Sequence, residues 1–454
     1  MPKQNGGLSK PLAGHVGVPE SWQKALQASL GILIALQTLF LAFTISPITN
    51  DSARYISLSD SLRHGNFQTF SLGYWHPEVQ RAPGYPLFLL ASRYGLHLSI
   101  RGIAVLEGLL YLLAVALIYR LLVEREVNAT AFLALVFLYP ATAAYSVRIM
   151  TEALVILSFA VLAWIVTRRM QPGPGLFVLA GIVSGFLTLV RPDAMLLIPL
   201  MAALLFFRVR NWQALAVPVL TAFLVLAPYV AWNWRTFHRP LPTARATGLG
   251  NSLYLAYWEA YVPSEDLSAF SRREVTSAAI QSGYAAEAAK INQALGVPSW
   301  SDPANTELMP TLQSQLAAGP ALLRDALQLI WHRPWPYVSH VVLAWYHLFN
   351  PAAYPMRSPF AVMLLRVASA LIWALGILGL ILLYRDRAIW ALPLIALMLY
   401  SPLTHCFLHT EARFTAGSRL LLVAVASYVF TRVNRRQVGS ESQREGKVRV
   451  QVPV

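Results

Sequence analysis

The hydrophobic residues of this chain form ten long blocks separated by polar or charged connections. A helix that crosses a bilayer needs about 20 apolar residues, and long uninterrupted apolar blocks predict such helices. The blocks cover residues 25–45, 100–122, 129–145, 154–167, 176–190, 195–207, 214–232, 360–384, 389–403 and 420–431. Several blocks are shorter than a full span, so we expect their helices to extend into the flanking residues. The pattern predicts an all-α polytopic membrane protein with about ten transmembrane helices.

Composition agrees with that prediction. Of the 454 residues, 56% are hydrophobic and 13% are charged, against about 25% charged residues in soluble domains. The single cysteine, Cys406, excludes an internal disulfide framework and a metal site built from cysteines. The sequence has no glycine-rich phosphate loop, so we expect neither an ATP site nor a nucleotide-sugar site. Nucleic acid is not an expected partner.

The net charge of +15 reports first on orientation, because lysine and arginine concentrate in cytoplasmic connections. Alternate connections carry the arginine pairs Arg120 and Arg125, Arg168 and Arg169, Arg208 and Arg210, and Arg385 and Arg387. This alternation predicts cytoplasmic N- and C-termini. It also requires residues 335–349 to stay at the external surface, where their tryptophans and tyrosines suit an aromatic belt.

The predicted topology divides the chain into five parts. They are a cytoplasmic tail (1–24), an N-terminal transmembrane catalytic module (25–232) with the external loop 46–99, an external and interfacial helical segment (233–358), C-terminal transmembrane helices (359–432) and a basic cytoplasmic tail (433–454). The external segment carries no spanning block, and we expect it to cover the cavity and select the acceptor.

The first external loop is too charged to be a simple connector. Between Thr49 and Tyr94 it contains Asp51, Asp60, Glu78, Arg54, Arg63, Arg81 and Arg93. Other predicted external arginines, Arg148, Arg191 and Arg413, also adjoin membrane segments. Guanidinium groups match phosphate oxygens in paired hydrogen bonds, so these arginines predict a lipid-linked phosphate as ligand. The alternative is that they extend to lipid headgroups.

Two carboxylates of the predicted external face are candidates for acid–base chemistry. Asp51 follows the first span and precedes a predicted surface helix, DSARYISLSDSL; alternatively it is the N-cap of that helix. Glu152 lies between the third and fourth spans; alternatively it pairs with Arg148 four residues earlier on one helix. Such a carboxylate can take a proton from an acceptor hydroxyl while cations hold a phosphate leaving group.

The segment YWHPEVQRAPGYP carries the remaining candidates. Glu78 and His76 could bind a divalent metal ion together with Asp51 or Glu152, although a His-x-Glu spacing alone does not establish a metal site. The two prolines fix the backbone of the RAPGYP turn and Gly84 frees it, which predicts firm placement of Arg81 and Tyr85. Tyr55, Glu78 and Tyr85 are the predicted substrate contacts.

These motifs together resemble the GT-C glycosyltransferases. Asp51 after the first span, the surface helix and RAPGYPLFL are similar to the first external loop of that superfamily. The bacterial branch related to the dolichyl-phosphate-mannose protein mannosyltransferases and to the lipid A aminoarabinose transferase is most similar. Further similar segments are TEAL at 151–154, LVRPDA at 189–194, GLGNSLYLA at 248–256 and the closing THCFLHTEARFTAGSRLLLV.

The resemblance implies a multispan bundle whose cavity opens to the outside of the bacterial inner membrane. It implies a polyprenyl-phosphate sugar donor and inverting single displacement onto a glycan, lipid or protein acceptor. Asp51 matches the catalytic aspartate, Glu152 the second acidic position and Arg81 the phosphate contact; Arg413 and Arg191 are expected to bind the same phosphate. Ser52 stands where the protein mannosyltransferases have glutamate, which weakens the case for a protein acceptor.

A transporter or flippase of a lipid-linked glycan is the alternative function. It also needs external cations and many spans. It is expected to show internal symmetry or charges within the spans, and neither stands out in the sequence. The sequence identifies neither the sugar, hexosyl or pentosyl, nor the acceptor.

Overall fold

The structure is a computed structural model that describes residues 19–71, 74–238, 248–261, 284–296, 312–349, 359–408 and 412–449. Within these residues it is almost entirely helical. The helices are α1 (Glu20–Thr44), α2 (Asn50–Arg63), α3 (Gly84–Leu90), α4 (Ile100–Glu124), α5 (Ala129–Leu138), α6 (Ala141–Ser146), α7 (Glu152–Thr167), α8 (Pro174–Val190), α9 (Leu197–Val209), α10 (Gln213–Phe237), α11 (Gly248–Glu259), α12 (Tyr284–Leu295), α13 (Leu312–His332), α14 (Pro334–Phe349), α15 (Pro359–Arg385), α16 (Leu392–His405) and α17 (Ala416–Arg449). Two short strands of the first loop, β1 (Gln68–Ser71) and β2 (Tyr74–Pro77), pair antiparallel.

Each predicted spanning block coincides with an apolar helix. Among the described residues, six segments are long and apolar enough to cross a membrane: Glu20–Thr44, Ile100–Glu124, Pro192–Val209, Gln213–Phe237, Met363–Arg385 and Arg413–Val433. The other four blocks correspond to the shorter apolar helices Ala129–Leu138, Glu152–Thr167, Pro174–Val190 and Ile389–His405. The prediction of an all-α multispan membrane protein is confirmed, while the number of spans stays a prediction.

Two blocks differ from their predicted form. The block 129–145 is interrupted between α5 and α6, where Pro140 precedes the first residue of α6. Proline lacks the amide hydrogen that a continuing helix needs. The last block, 420–431, belongs to a 34-residue helix, α17, that continues to Arg449.

The helices form a bundle with a central and a peripheral set. Helix α17 packs against α5, α7, α15 and α16, and 89% of its spanning window is buried inside the protein. Only 17% of the window of α1 is buried, so most of its apolar surface faces outward. Apolar surface exposed on this scale fits contact with lipid.

The ends of α4 carry different chemistry. Near its start, Arg101 donates to the carbonyl groups of Ala42 and Ile45 at the end of α1 (2.5 and 2.8 Å). Just after its other end, Arg125 donates to the carbonyl groups of Thr167 and Arg168 (both 2.7 Å). Helix α4 has 25 residues and is therefore about 36 Å long. The arginines predicted to be cytoplasmic thus converge about one membrane thickness from the first loop.

The predicted external segment contributes α11, α12, α13 and α14. The first three pack around a separate apolar cluster that includes Tyr254, Tyr257, Trp258 and Leu322. Helix α14 joins this cluster to the bundle: His340 contacts the Glu259 carboxylate (3.3 Å) and the Leu408 carbonyl (3.1 Å). The side chains of His340 and Glu259 are both buried.

Candidate active site

Helix α2 begins with a complete capping box that does not involve the Asp51 side chain. The Thr49 hydroxyl accepts from the Ser52 amide (3.3 Å), and the Ser52 hydroxyl accepts from the Thr49 amide (2.8 Å). The alternative that Asp51 is the N-cap is therefore wrong. Asp51 lies in the first turn of α2, where the helix dipole stabilises a negative charge.

The Asp51 carboxylate binds two arginines from distant parts of the chain. Its Oδ1 accepts from Nη2 of Arg81 (2.6 Å), and its Oδ2 accepts from Nη1 of Arg413 (2.8 Å). Arg81 comes from the first loop, and Arg413 from the short turn that precedes α17. The three side chains are partly buried, with 30%, 16% and 22% exposure for Asp51, Arg81 and Arg413. Charge-assisted pairs are stronger in such surroundings than in open solvent.

Tyr55 lies where these charges meet. Its ring centroid is 5.4 Å from the guanidinium carbon of Arg81, a distance suited to a cation–π contact. Burial raises the pKa of the Tyr55 hydroxyl, and the charges of Arg81, Asp51, Arg413 and Glu152 also act on it. The hydroxyl therefore stays protonated at neutral pH and can donate a hydrogen bond to a ligand oxygen.

Glu78 fixes the turn that carries Arg81. Its carboxylate is fully buried, and its Oε2 accepts hydrogen bonds from Nε (3.2 Å) and Nη2 (3.0 Å) of Arg54. Its Oε1 accepts from the amides of Gln80 (2.7 Å) and Arg81 (3.1 Å). Both oxygens of Glu78 are thus engaged within the protein. No group of three histidine, cysteine, aspartate or glutamate side chains positioned for a metal ion occurs in the part of the chain that the structure describes.

Gly84 is required by close packing. A Cβ atom at this position would lie 2.6 Å from the carbonyl carbon and oxygen of Leu189. The backbone of Gly84 does not have a positive φ, so the expectation that glycine frees the turn conformationally is wrong. The contact places the Arg81 turn directly on the end of α8, next to Arg191.

Arg191 lies beside the Asp51 cluster but has a different carboxylate partner. Its Nε is 3.5 Å from Oδ1 of Asp193, and Oδ2 of Asp193 is 3.0 Å from Nε2 of His405. The Phe414 ring centroid lies 4.6 Å from the Arg191 guanidinium carbon and 5.6 Å from that of Arg413. Phe414 therefore contacts both guanidinium groups. A small cleft next to them is lined by Arg191, Asp193, Tyr400, Ser401 and Phe414, together with apolar side chains.

Glu152 is the first residue of α7 and is buried. Helix α6 ends at Ser146, so no single helix contains both Arg148 and Glu152, and the expected shared helical face is wrong. The segment before Glu152 is attached to the start of α2. The Ser52 hydroxyl donates to the Ile149 carbonyl (2.8 Å), and the Ile149 amide donates to the Pro47 carbonyl (2.9 Å).

Sequence reasoning missed two buried charged residues of the bundle. Glu107 lies inside the predicted span 100–122, and its Oε1 accepts from the Tyr85 hydroxyl (2.6 Å). Arg419, in α17, donates to the Tyr139 hydroxyl (2.7 Å) and to the Leu348 carbonyl (2.8 Å). The prediction that the spans carry no notable charged residue is therefore wrong. A charged residue in an apolar block was the available signal.

The chain was compared with protein-family models, curated proteins and solved structures. No protein-family model and no curated protein matches the chain. Among solved structures, the chain is similar to the crystal structure of ArnT from Cupriavidus metallidurans bound to undecaprenyl phosphate, with 12% identity, coverage of 93% of this chain and 80% of that chain, and a TM-score of 0.36.

Proposed function

We propose that this protein is a membrane glycosyltransferase that moves a sugar from a polyprenyl-phosphate-linked donor to an acceptor at the external membrane face. The observation that carries the proposal is the convergence of Arg81 and Arg413 on the Asp51 carboxylate, each within 2.8 Å. Two guanidinium groups held close together at one end of a lipid-spanning bundle suit a phosphate ester that reaches them from the bilayer.

The reaction follows from the exchange of one anion for another. The donor phosphate binds Arg81 and Arg413 in place of the Asp51 carboxylate. Asp51 then takes the proton of an acceptor hydroxyl as general base. The acceptor oxygen forms its bond to the anomeric carbon, and the bond from that carbon to the phosphate oxygen breaks. The two arginines stabilise the negative charge that develops on the leaving phosphate. Attack opposite the leaving group inverts the anomeric configuration.

The neighbouring residues have supporting roles in this proposal. Glu152 is the second acidic group. Arg191, which contacts the Phe414 ring as Arg413 does, also binds the donor phosphate. The Tyr55 hydroxyl donates a hydrogen bond to the substrate. Glu78 positions the turn that carries Arg81, because both of its carboxylate oxygens accept hydrogen bonds from Arg54 and from backbone amides of the turn. The acceptor is a glycan, a lipid or a protein, and the transferred group is a hexose or a pentose. The site faces the outside of the bacterial inner membrane.

Binding of undecaprenyl phosphate, the lipid in the ArnT crystal structure, tests the proposed phosphate site. Arg81→Ala and Arg413→Ala should each weaken binding to the purified protein in nanodiscs about tenfold or more, since a hydrogen bond to a charged group contributes about 1.5–3 kcal/mol. Arg93→Ala is the matched control, because Arg93 belongs to the same loop but pairs with Asp60. Wild-type affinity in both Arg81→Ala and Arg413→Ala would refute the proposal.

A flippase of a lipid-linked glycan is the second candidate, favoured by the buried Glu107 inside α4, since transporters place ionisable groups within their spans. A flippase would still move its lipid after Asp51→Asn, whereas the transferase would lose transfer. The lipid-linked glycans that accumulate in cells lacking the protein separate the two functions. If the missing protein is a transferase, the sugar donor accumulates on the external face of the membrane. If it is a flippase, the donor accumulates on the cytoplasmic face.

A further inference from the structure

Glu107 is an ionisable side chain buried close to the external end of a lipid-spanning helix. It is the eighth residue of α4, about 10 Å along the helix from its start, and its exposure is 0%. An ionisable group in such a place is expensive unless it has a specific partner. Its neighbours along the helix, Ala104 and Tyr111, are buried too. Glu107 therefore points into the protein and away from lipid.

The partner of Glu107 is Tyr85, the tyrosine of the RAPGYP turn. The Tyr85 hydroxyl donates to Oε1 of Glu107 at 2.6 Å, and Tyr85 is itself fully buried. The backbone amide of Met150 lies beside the same carboxyl group. Met150 also contacts Arg413, whose Nη1 is 3.7 Å from its sulfur. Glu107 thus lies between the two segments that surround the proposed phosphate site.

Aromatic contacts connect Tyr85 to Arg81. The rings of Tyr85 and Tyr55 meet edge to face with centroids 4.8 Å apart, a favourable geometry for an aromatic pair. The Tyr55 ring in turn lies 5.4 Å from the guanidinium carbon of Arg81. A continuous column of contacts therefore runs from Glu107 through Tyr85 and Tyr55 to Arg81.

We propose that Glu107 is a positioning residue for the phosphate site: it holds Tyr85, and through Tyr55 it fixes where the Arg81 guanidinium lies. The inference rests on the proposed function, because it concerns the same arginine. Guanidinium groups recognise phosphate only within a narrow geometry, so a side chain that fixes Arg81 increases phosphate affinity without contacting the ligand. Glu107 needs only to accept the tyrosine hydrogen bond, which an amide oxygen also does.

Three substitutions test this role through the affinity for undecaprenyl phosphate in nanodiscs. Glu107→Ala should weaken binding about tenfold and Tyr85→Phe about fivefold, whereas Glu107→Gln should stay within twofold of wild type. Tyr111→Phe, which removes a buried hydroxyl one turn along the same helix, is the control and should leave the affinity unchanged. Adding Tyr85→Phe to Glu107→Ala should cause little further loss, because both remove one interaction.

The outcomes separate this inference from the proposed function. Folded Glu107→Ala and Tyr85→Phe could bind undecaprenyl phosphate with wild-type affinity while Arg81→Ala binds it more weakly. That result would overturn the positioning role and leave the proposed function intact. An impairment of Glu107→Gln equal to that of Glu107→Ala would also overturn it, since the charge and not the acceptor atom would then matter. Unchanged binding by both Arg81→Ala and Arg413→Ala would contradict the proposed function itself. Thermal unfolding of each purified variant confirms that the compared proteins are folded.

Discussion

At the scale of single residues, the candidate site depends on contacts between side chains that are far apart in the sequence. Asp51, Arg81 and Arg413 were predicted from their charge beside apolar spans, but their mutual contacts depend on tertiary packing between segments far apart in sequence. The reason for Gly84 could not be predicted either, because its neighbour is the backbone of Leu189. Glu107 was missed because one acidic residue does not interrupt a long apolar block.

Gly84→Ala is the residue-scale test of how the Arg81 turn is placed. The added methyl group would lie 2.6 Å from the Leu189 backbone, so the turn or the end of α8 must move. We expect a loss of about 1–3 kcal/mol in the free energy of unfolding and weaker binding of undecaprenyl phosphate. Gly95→Ala, where a Cβ meets nothing within 4 Å, should change both quantities little. Equal results for the two variants would contradict the packing explanation.

At the scale of elements, local sequence signals were reliable where the cause is local. The helix predicted from DSARYISLSDSL is present as α2, and its start is determined by Thr49 and Ser52. The interruption between α5 and α6 follows from Pro140. The expected continuous helix through Arg148 and Glu152 is absent, because Ile149, between α6 and α7, forms its backbone hydrogen bonds with Pro47 and Ser52 instead.

The contact between α12 and α13 in the predicted external segment should depend on pH. Burial, with the like charge of Glu287 as a second cause, raises the pKa of Asp325 from its ordinary 3.8 to about 6. The folded protein therefore holds this proton more tightly than the unfolded chain does. Stability from this group is fully present below pH 3.8 and is lost as the pH rises through about 6.

Asp325→Asn removes the charge at every pH. It should raise the thermal unfolding midpoint at pH 8, and the gain should shrink as the pH falls toward 4. Glu126→Gln is the control, because Glu126 is exposed and pairs only loosely with Arg169 (3.5 Å); surface pairs of this kind contribute little. A gain for Asp325→Asn that is equal at pH 4 and pH 8 would contradict the burial argument.

At the scale of the whole molecule, the apolar blocks predicted the helical membrane bundle, and the arginine pattern predicted two chemically different ends. The structure brings Arg125, Arg168 and Arg208 together, with Arg208 donating to the carbonyl of Met170 (2.7 Å). Arg81, Asp51 and Arg413 form the other group. Which helices are central could not be predicted, because burial does not follow hydropathy: the mean hydropathy is 1.9 for the outward-facing window of α1 and only 1.4 for the buried window of α17.

The orientation of the bundle can be tested with single cysteines. Cys406 is the only native cysteine, so Cys406→Ser provides a background without thiols. Asn66→Cys in the first loop should react with a membrane-impermeant maleimide in intact cells. Gln171→Cys, beside the predicted cytoplasmic arginines, should react only after the membrane is opened. The reverse labelling pattern would contradict the external location of the proposed site.

The measurement that tests the central claim most directly is the affinity of Asp51→Asn for undecaprenyl phosphate. In the structure both guanidinium groups bind Asp51, so a phosphate must compete with this carboxylate. Removing the negative charge should tighten binding about tenfold, while Asp60→Asn, which alters the carboxylate of the Arg93 pair, should have no effect. Binding by Asp51→Asn that is equal to or weaker than wild type would contradict the claim that Arg81 and Arg413 exchange Asp51 for the donor phosphate.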